Sequence, residues 1–164
     1  MKKKQPCINK ISAGFTLIEL IIVIGVIILI TGGGIASFIN FNEKQQVLNG
    51  SKELRSYLRM AQTLVRVGEV PDGCGKLTGY KVMSLDAGVT KEIRVVAVCF
   101  SGDIEKASFL LPETTTLSSN INITFLGLHG GVIGATTIEV LGPSDRVYSF
   151  EVTQGGEITQ GEFI

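Results

Sequence analysis

Hydrophobic residues form one unusually dense block near the start of the chain. From Phe15 to Ile39 most positions are apolar, although Thr16 and Glu19 lie near its beginning and three glycines occupy positions 32–34. About 25 residues, rising 1.5 Å each as a helix, are enough to cross a bilayer of roughly 30 Å. Each glycine costs about 1 kcal/mol against alanine inside a helix, so we expect a flexible or locally melted point at Gly32-Gly33-Gly34.

The next stretch, from Glu43 to Val67, has the spacing of an amphipathic helix. Small or apolar residues recur three and four positions apart: Val47, Ser51, Leu54, Leu58, Ala61 and Val65. Lys52, Arg55 and Arg59 lie on another face, which we interpret as solvated or as forming salt bridges between subunits. Gly68 and Pro71 predict the C-terminal end of this helix.

Beyond Pro71 the pattern changes to short alternating segments separated by turn residues, which is typical of β-strands. Six strands are predicted, at Gly79–Leu85, Glu92–Phe100, Ala107–Leu111, Asn120–Leu126, Thr136–Leu141 and Arg146–Val152. Helices first and strands later predict an α+β fold, in which a long N-terminal transmembrane and amphipathic helix packs on a C-terminal antiparallel β-sheet body. Phe109 and Phe125 are expected in the core of that body.

These changes of character suggest four segments. We predict a leader at 1–14, a transmembrane and assembly helix at 15–39, an amphipathic helix at 40–70 and a β-rich extracytoplasmic body at 71–164. The amphipathic helix and the β-rich body should form one globular domain.

Charge is distributed unevenly along the chain, although its formal net charge is zero. Lys2, Lys3, Lys4 and Lys10 precede the apolar block, which by the positive-inside tendency places the N-terminus in the cytoplasm and the body outside. From Ser101 onward there are two basic residues against eight acidic ones. Because nucleic-acid binding needs a basic surface, this balance argues against a nucleic-acid partner there.

Three cysteines are present, at positions 7, 74 and 99. Cys7 lies in the predicted leader, whereas Cys74 and Cys99 lie in the part predicted to be exported. An even pair in an oxidising compartment favours a disulfide. The alternative is two unrelated thiols, one of them buried in a strand.

Glu19 is out of place in an ordinary secretory signal. A carboxylate in the middle of an apolar helix costs about 2.5–3.5 kcal/mol on insertion scales, so something must compensate for it. Cleavage after Gly14 would create a free ammonium on Phe15, and this could neutralise the Glu19 of a neighbouring subunit. Such pairing would set both the register and the assembly of the subunits.

The stretch Gly14-Phe15-Thr16-Leu17-Ile18-Glu19 resembles the type IV prepilin signature shared by pilins and type II secretion pseudopilins. In that family a prepilin peptidase cuts after the glycine and methylates the new first residue. The resemblance therefore implies that Gly14 precedes the cut, that Phe15 is methylated and that Glu19 acts in assembly. It also implies an inner-membrane assembly platform and other pilin or pseudopilin subunits as partners.

Three features depart from the family pattern. Ala13 stands where Lys or Arg is common, and the leader is longer than the shortest ones in the family. Ala36 occupies the position of a frequent proline in the apolar helix, and we expect the glycines at 32–34 to loosen the helix in its place.

Farther along the chain a weaker resemblance points to a subfamily. The stretches Phe109-Leu110-Leu111-Pro112, Ile123-Thr124-Phe125, 127–134 and 147–158 are similar to the H-type minor pseudopilins and FimT-like minor pilins. This resemblance implies a subunit at or near the filament tip that helps to initiate assembly.

No catalytic group stands out in the sequence, and the chain is predicted not to be an enzyme. His129 is the sole histidine and lacks the partners of a zinc site or a catalytic triad, so we expect a loop histidine. Asp103 and Glu105 are interpreted as a solvated hairpin tip, because a calcium loop needs more oxygen ligands. No cofactor or metal is predicted.

The sequence thus favours a minor pilin or pseudopilin of the inner membrane, with one pass and an extracytoplasmic filament as its destination. Two alternatives stay open: a FimT-like minor pilin for DNA uptake, and a membrane-anchored adhesion or ligand-binding module that uses the same export signal. The sequence does not distinguish among type II secretion, type IV pili and competence.

Overall fold

The structure is a computed structural model that describes residues 14–86, 90–127 and 131–164. Residues 1–13, with the predicted leader lysines and Cys7, lie outside the described part, and so does His129. The chain divides into two compact units, the first ending at Ile39 and the second comprising Asn40–Ile164.

One helix, α1, spans Leu17–Val67. It ends in a glycine cap: Gly68 adopts φ 71°, its N–H donates to Val65 O, and the Glu69 N–H donates to Leu64 O, both at 3.1 Å. This pair of bonds satisfies carbonyls that have no partner within the helix, and the left-handed backbone suits glycine.

The interruption expected at Gly32-Gly33-Gly34 is not observed, because the helical assignment continues through all three residues. Glycine raises the cost of helix formation but keeps its backbone N–H, so the i to i−4 hydrogen bonds continue through it. A proline, by contrast, would have removed a donor.

The described part of the second unit contains nine strands, three of which are only two residues long. They are β1 Leu77–Asp86, β2 Thr90–Cys99, β3 Ile104–Leu110, β4 Thr116–Leu117, β5 Asn122–Leu126, β6 Val132–Ile133, β7 Thr136–Leu141, β8 Val147–Val152 and β9 Glu162–Phe163. A short 3₁₀ turn, Pro143–Asp145, joins β7 to β8.

These strands form two antiparallel sheets where the structure describes them. The first, sheet A, has the order β3-β2-β1-β5-β6, and the second, sheet B, has the order β4-β7-β8-β9. The sequence predicted a sheet body but not its division into two.

Sheet A is built around β1. Tyr80 lies opposite Ala97 of β2 and Phe125 of β5, and Val82 lies in the same way between Val95 and Ile123. Tyr80, Val82 and their four partners are all buried, because alternate residues of a strand face the same side. One face of sheet A therefore belongs to the core.

In sheet B the alternation is equally regular. Ile138 pairs with Phe150 and Val140 with Tyr148, and all four side chains are buried. The Phe163 ring packs edge-on against Tyr148, with ring centroids 5.1 Å apart, on the same face.

The second half of α1 contributes to the same core as the buried faces of both sheets. Five of its side chains have no exposed surface: Val47, Ser51, Leu54, Leu58 and Ala61. The Tyr57 ring also stacks on Phe109 of β3 at a centroid distance of 4.1 Å. The helix and both sheets share one hydrophobic core, and Phe109 and Phe125 are buried in it, which confirms their predicted place. The fold is α+β.

Candidate functional site at the start of the helix

The backbone from Gly14 to Thr16 precedes the first helical residue, Leu17. Gly14 is exposed, and the Phe15 side chain is 83% exposed. The peptide bond between Gly14 and Phe15 is thus outside the helical hydrogen-bond ladder and open to solvent.

None of the residues that the structure describes restricts the space for a side chain at position 14. A Cβ built on Gly14 would meet no atom within 4 Å. Gly79 and Gly161 differ, because a Cβ there would collide with the backbone of a neighbouring strand. The described residues therefore leave room for a larger side chain at position 14.

Thr16 caps the helix. Its hydroxyl oxygen accepts the Glu19 backbone N–H at 3.3 Å, and its carbonyl accepts the Leu20 N–H at 3.2 Å. Thr16 and Glu19 have the spacing of a capping box, in which a residue three positions after the cap carries a carboxylate or amide. We did not predict this cap, although the signal, Thr-x-x-Glu before an apolar run, is present in the sequence.

Glu19 lies in the first turn of α1, where a negative charge is favoured by the positive end of the helix dipole. Its side chain is exposed among exposed apolar neighbours such as Ile18 and Ile22. Within the described residues the Glu19 carboxylate makes no ion pair, so its charge is available to a group from another molecule.

The described side chains in the apolar part of α1 are not buried by the rest of the chain. Ile24, Leu29 and Ile30 are 48%, 79% and 70% exposed, and the most apolar window of the helix contains no buried residue. In the described part of the chain, α1 is the one helix that is long and apolar enough to cross a membrane. The chain therefore has a candidate membrane span near its N-terminus.

A second feature is a disulfide between Cys74 and Cys99 in the body, with Cα atoms 5.3 Å apart. It ties the loop after α1 to the end of β2. The backbone around it is tied down as well: the Phe100 N–H donates to Lys76 O at 2.9 Å, and the Ser101 hydroxyl donates to Gly73 O at 2.9 Å.

The same loop is held from its other end by Glu69. Its backbone carbonyl accepts the Tyr80 hydroxyl at 2.9 Å, and its carboxylate accepts Lys106 Nζ at 2.5 Å. The hydrogen bond to Glu69 raises the pKa of Lys106, and burial, followed by the charge of Glu69, raises the pKa of Tyr80. These contacts fasten the end of α1 to sheet A.

Asp103 and Glu105 are exposed, but both carboxylates have cationic neighbours. Asp103 Oδ2 lies 2.7 Å from Lys81 Nζ, and Glu105 Oε2 lies 3.5 Å from Arg94 Nε. Among the residues that the structure describes, no group of three or more His, Cys, Asp or Glu side chains is placed to hold a metal ion.

Gly14 and Phe15, the predicted processing residues, directly precede α1, and Glu19, the predicted assembly residue, lies in its first turn. Cys74 and Cys99 are a separate feature of the body. The class defined by these observations is an α+β protein with an exposed apolar N-terminal helix. The chain matches no protein-family model, no curated protein and no solved structure.

Proposed function

We propose that this protein is a minor pilin or pseudopilin, a structural subunit of a type IV pilus or type II secretion pseudopilus. In this proposal a prepilin peptidase cuts after Gly14, and the subunit enters the filament through its N-terminal helix. The single observation that carries the proposal is an exposed Gly14–Phe15 bond directly before an apolar helix with Glu19 in its first turn.

The open surroundings of Gly14 support recognition by a peptidase. Glycine at this position is explained by an enzyme whose active site admits only the smallest side chain, since the chain itself has room for a larger one. The solvent-exposed bond precedes the first helical residue, so its cleavage needs no unwinding of α1.

Assembly follows from the exposed apolar helix. Its side chains lose contact with lipid and gain contact with the equivalent helices of other subunits when they pack in a bundle. The Glu19 carboxylate would be costly in that apolar setting unless paired, and the new ammonium of Phe15 on a neighbouring subunit supplies the opposite charge. The pairing penalises every register in which the two groups do not meet.

The identity of the mature N-terminus tests the processing step. The full chain is produced in membranes with and without a prepilin peptidase, and the N-terminal peptide is analysed by mass spectrometry. We expect a peptide that begins at N-methylated Phe15 only when the peptidase is present. A Gly14→Val variant is the control and should stay uncut. Cleavage near Ser37 or Phe38 would instead indicate an ordinary secretory signal and reject the proposal.

A pair of substitutions separates the two roles available to Glu19. Gln at the same position can still act in a capping box but carries no charge, whereas Ala removes both functions. We expect Glu19→Gln and Glu19→Ala to be cleaved normally and both to be lost from sheared filament fractions. If Glu19→Gln enters filaments as well as the parent chain, the carboxylate acts only as a helix cap and the pairing mechanism is wrong.

A further inference from the structure

A row of basic side chains runs along α1 beside the core-facing residues. Lys52, Arg59 and Arg66 are seven residues apart, and seven residues of an α-helix come within about 20° of two full turns, so the three side chains leave the helix on nearly the same side. All three are exposed. We call these three residues the basic row.

The cations of the basic row have no counter-ion in the part of the chain that the structure describes. Arg59 and Arg66 share a surface cavity of about 340 Å³ with Glu157, yet neither forms an ion pair with it. Arg55, on the same side of the helix, differs, because its guanidinium lies over the Phe150 ring at 5.9 Å.

Sheet B carries the opposite charge on its outer face. The residues that alternate with its buried ones include Glu139 on β7, Glu151 on β8 and Glu162 on β9. Ser149 pairs with both Glu139 and Glu162, so these three residues form one line across the sheet, and Glu151 is two positions along β8 from it. We call the three glutamates the acidic face. None of them forms an ion pair with a described residue.

The two surfaces match in spacing as well as in sign. Neighbouring strands are about 4.8 Å apart, so the backbones at Glu139 and Glu162 are separated by about 9.6 Å. Successive members of the basic row rise about 10.5 Å along the helix axis. A helix laid across β7, β8 and β9 therefore places two consecutive cations over two carboxylates.

Net charge separates in the same way along the sequence. Residues 40–67 contain five Lys and Arg against two Asp and Glu, while residues 113–164 contain one Arg against six acids. Copies of the body consequently attract each other when the helix side of one meets the sheet B side of the next, and repel when like surfaces meet.

We propose that the basic row of one copy of this chain docks on the acidic face of a second copy. The contact is heterologous, since each copy contributes a different surface, and such contacts propagate into open helical arrays when the rotation between copies does not close. The inference rests on the proposed filament function and names a partner surface for it: a second copy of the chain.

Zero-length cross-linking tests the contact on the full chain in membranes. A carbodiimide joins a lysine amine to a carboxylate only where the two touch. Equal amounts of ¹⁴N- and ¹⁵N-labelled chain are mixed before solubilisation and reassembly, treated, digested and analysed by mass spectrometry. We expect mixed-isotope products that link Lys52 to Glu139 or Glu162. Their yield should fall in 1 M salt, where the Debye length is about 3 Å.

Two charge-reversed chains make the test specific. One carries Glu139→Lys and Glu162→Lys, and the other carries Lys52→Glu and Arg59→Glu. Each alone places like charges in the contact, so self-association measured by sedimentation should weaken by about tenfold or more. A one-to-one mixture restores opposite charges at the interface and should recover both the association and the link from Lys52 to Glu139 or Glu162.

Lys76→Glu and Glu113→Lys are the matched controls, because both reverse exposed charges outside the two surfaces. They should leave association unchanged. Unfolding midpoints close to that of the parent chain show that the reversed chains are folded.

Links confined to a single isotope, or unchanged association in both reversed chains, would overturn the proposal. So would a basic row that proves to bind a DNA duplex or anionic vesicles, with Lys52→Glu and Arg59→Glu abolishing that binding and leaving the self-association of the chain unchanged. Normal cleavage at Phe15 and filament entry without these links would reject the docking contact alone, whereas absence of cleavage would reject the filament function.

Discussion

The two parts of α1 have the same backbone and opposite surroundings. Before Ile39 the large apolar side chains that the structure describes are exposed, with Leu29 at 79%, whereas Leu54 and Leu58 after Asn40 have no exposed surface. Apolar surface removed from water is worth about 25 cal/mol per Å². The second part realises this free energy within its own chain, and the first part can do so only with lipid or with other molecules.

One continuous helix therefore has two roles, which fall on different parts of its length. The later part of α1 belongs to the core, so its residues are constrained by packing against the sheets. The residues of the earlier part are constrained by the lipid or protein around the chain. Two of its polar residues, Thr16 and Glu19, lie at the end where processing is proposed.

The largest expected effect on stability comes from a matched pair of leucine substitutions, one in each part of α1. Leu58→Ala should lower the free energy of unfolding of the body by about 2–5 kcal/mol, because it leaves a cavity in the core. Leu29→Ala should leave the unfolding of the body unchanged. Denaturant unfolding of the full chain in detergent, followed by the circular dichroism of the sheets, measures both. An equal loss in the two variants would contradict the division into units.

The disulfide is expected to have the next largest effect. Replacing Cys74 and Cys99 together with serine should cost about 3 kcal/mol, because the loop of 25 residues is then unconstrained in the unfolded chain. The same denaturant titration, repeated on the parent chain with a reductant, should give a matching loss. A reductant effect that persists in the double variant would assign it to Cys7 instead.

Two glycine-to-alanine substitutions test the same difference with a single added methyl group, one in the body and one in the apolar part of α1. A Cβ at Gly79 would lie 2.2 Å from the Phe125 carbonyl oxygen, so Gly79→Ala forces β1 away from β5 and should cost about 1–3 kcal/mol. Gly25→Ala meets no atom within 4 Å and should favour the helix by up to about 1 kcal/mol. Thermal unfolding reports the first, and helical circular dichroism in micelles reports the second. A stable Gly79→Ala chain would be inconsistent with the observed strand pairing.

The smallest expected effect is a dependence on pH in the body. The folded-state pKa of Lys106 is raised by its hydrogen bond to Glu69, so the stability it contributes is fully present below the unfolded value of about 10.5. It is lost as the pH rises through the higher folded value. The melting temperature of Lys106→Gln should therefore fall less steeply above about pH 10 than that of the parent chain. Identical slopes would show that the ion pair does not contribute.

Much of the fold is local enough to be predicted from the sequence. The apolar positions of the second half of α1 are buried as their spacing indicates, and the Thr136–Leu141 strand has its predicted bounds. The strands β4, β6 and β9 were not predicted, because two residues carry no detectable alternation. Each of these short strands lies at the edge of its sheet, where a longer neighbour holds it.

The division into two sheets and the pairing of charges depend on long-range contacts that residue patterns do not encode. Glu69 and Lys106 are 37 positions apart, and nothing in either segment specifies the other. A flexible or locally melted point was expected at Gly32-Gly33-Gly34, yet α1 is not melted there, because a propensity cost of about 1 kcal/mol per glycine does not by itself remove a hydrogen bond. For the candidate site, the sequence predicted Gly14, Phe15 and Glu19 but not the cap by Thr16.

The cap at Thr16 has a consequence for the chain that the proposed cleavage would leave. Its first residue, Phe15, would stand only two positions before Leu17, beside backbone N–H groups whose aligned dipoles amount to about half a positive charge. A fresh ammonium at that place is repelled by the helix that it begins. Glu19 of the same chain, in the first turn of α1, places one negative charge near this ammonium. In the proposed filament a carboxylate from another subunit would offset the repulsion further, so cleavage of one peptide bond would also create a charge that favours association.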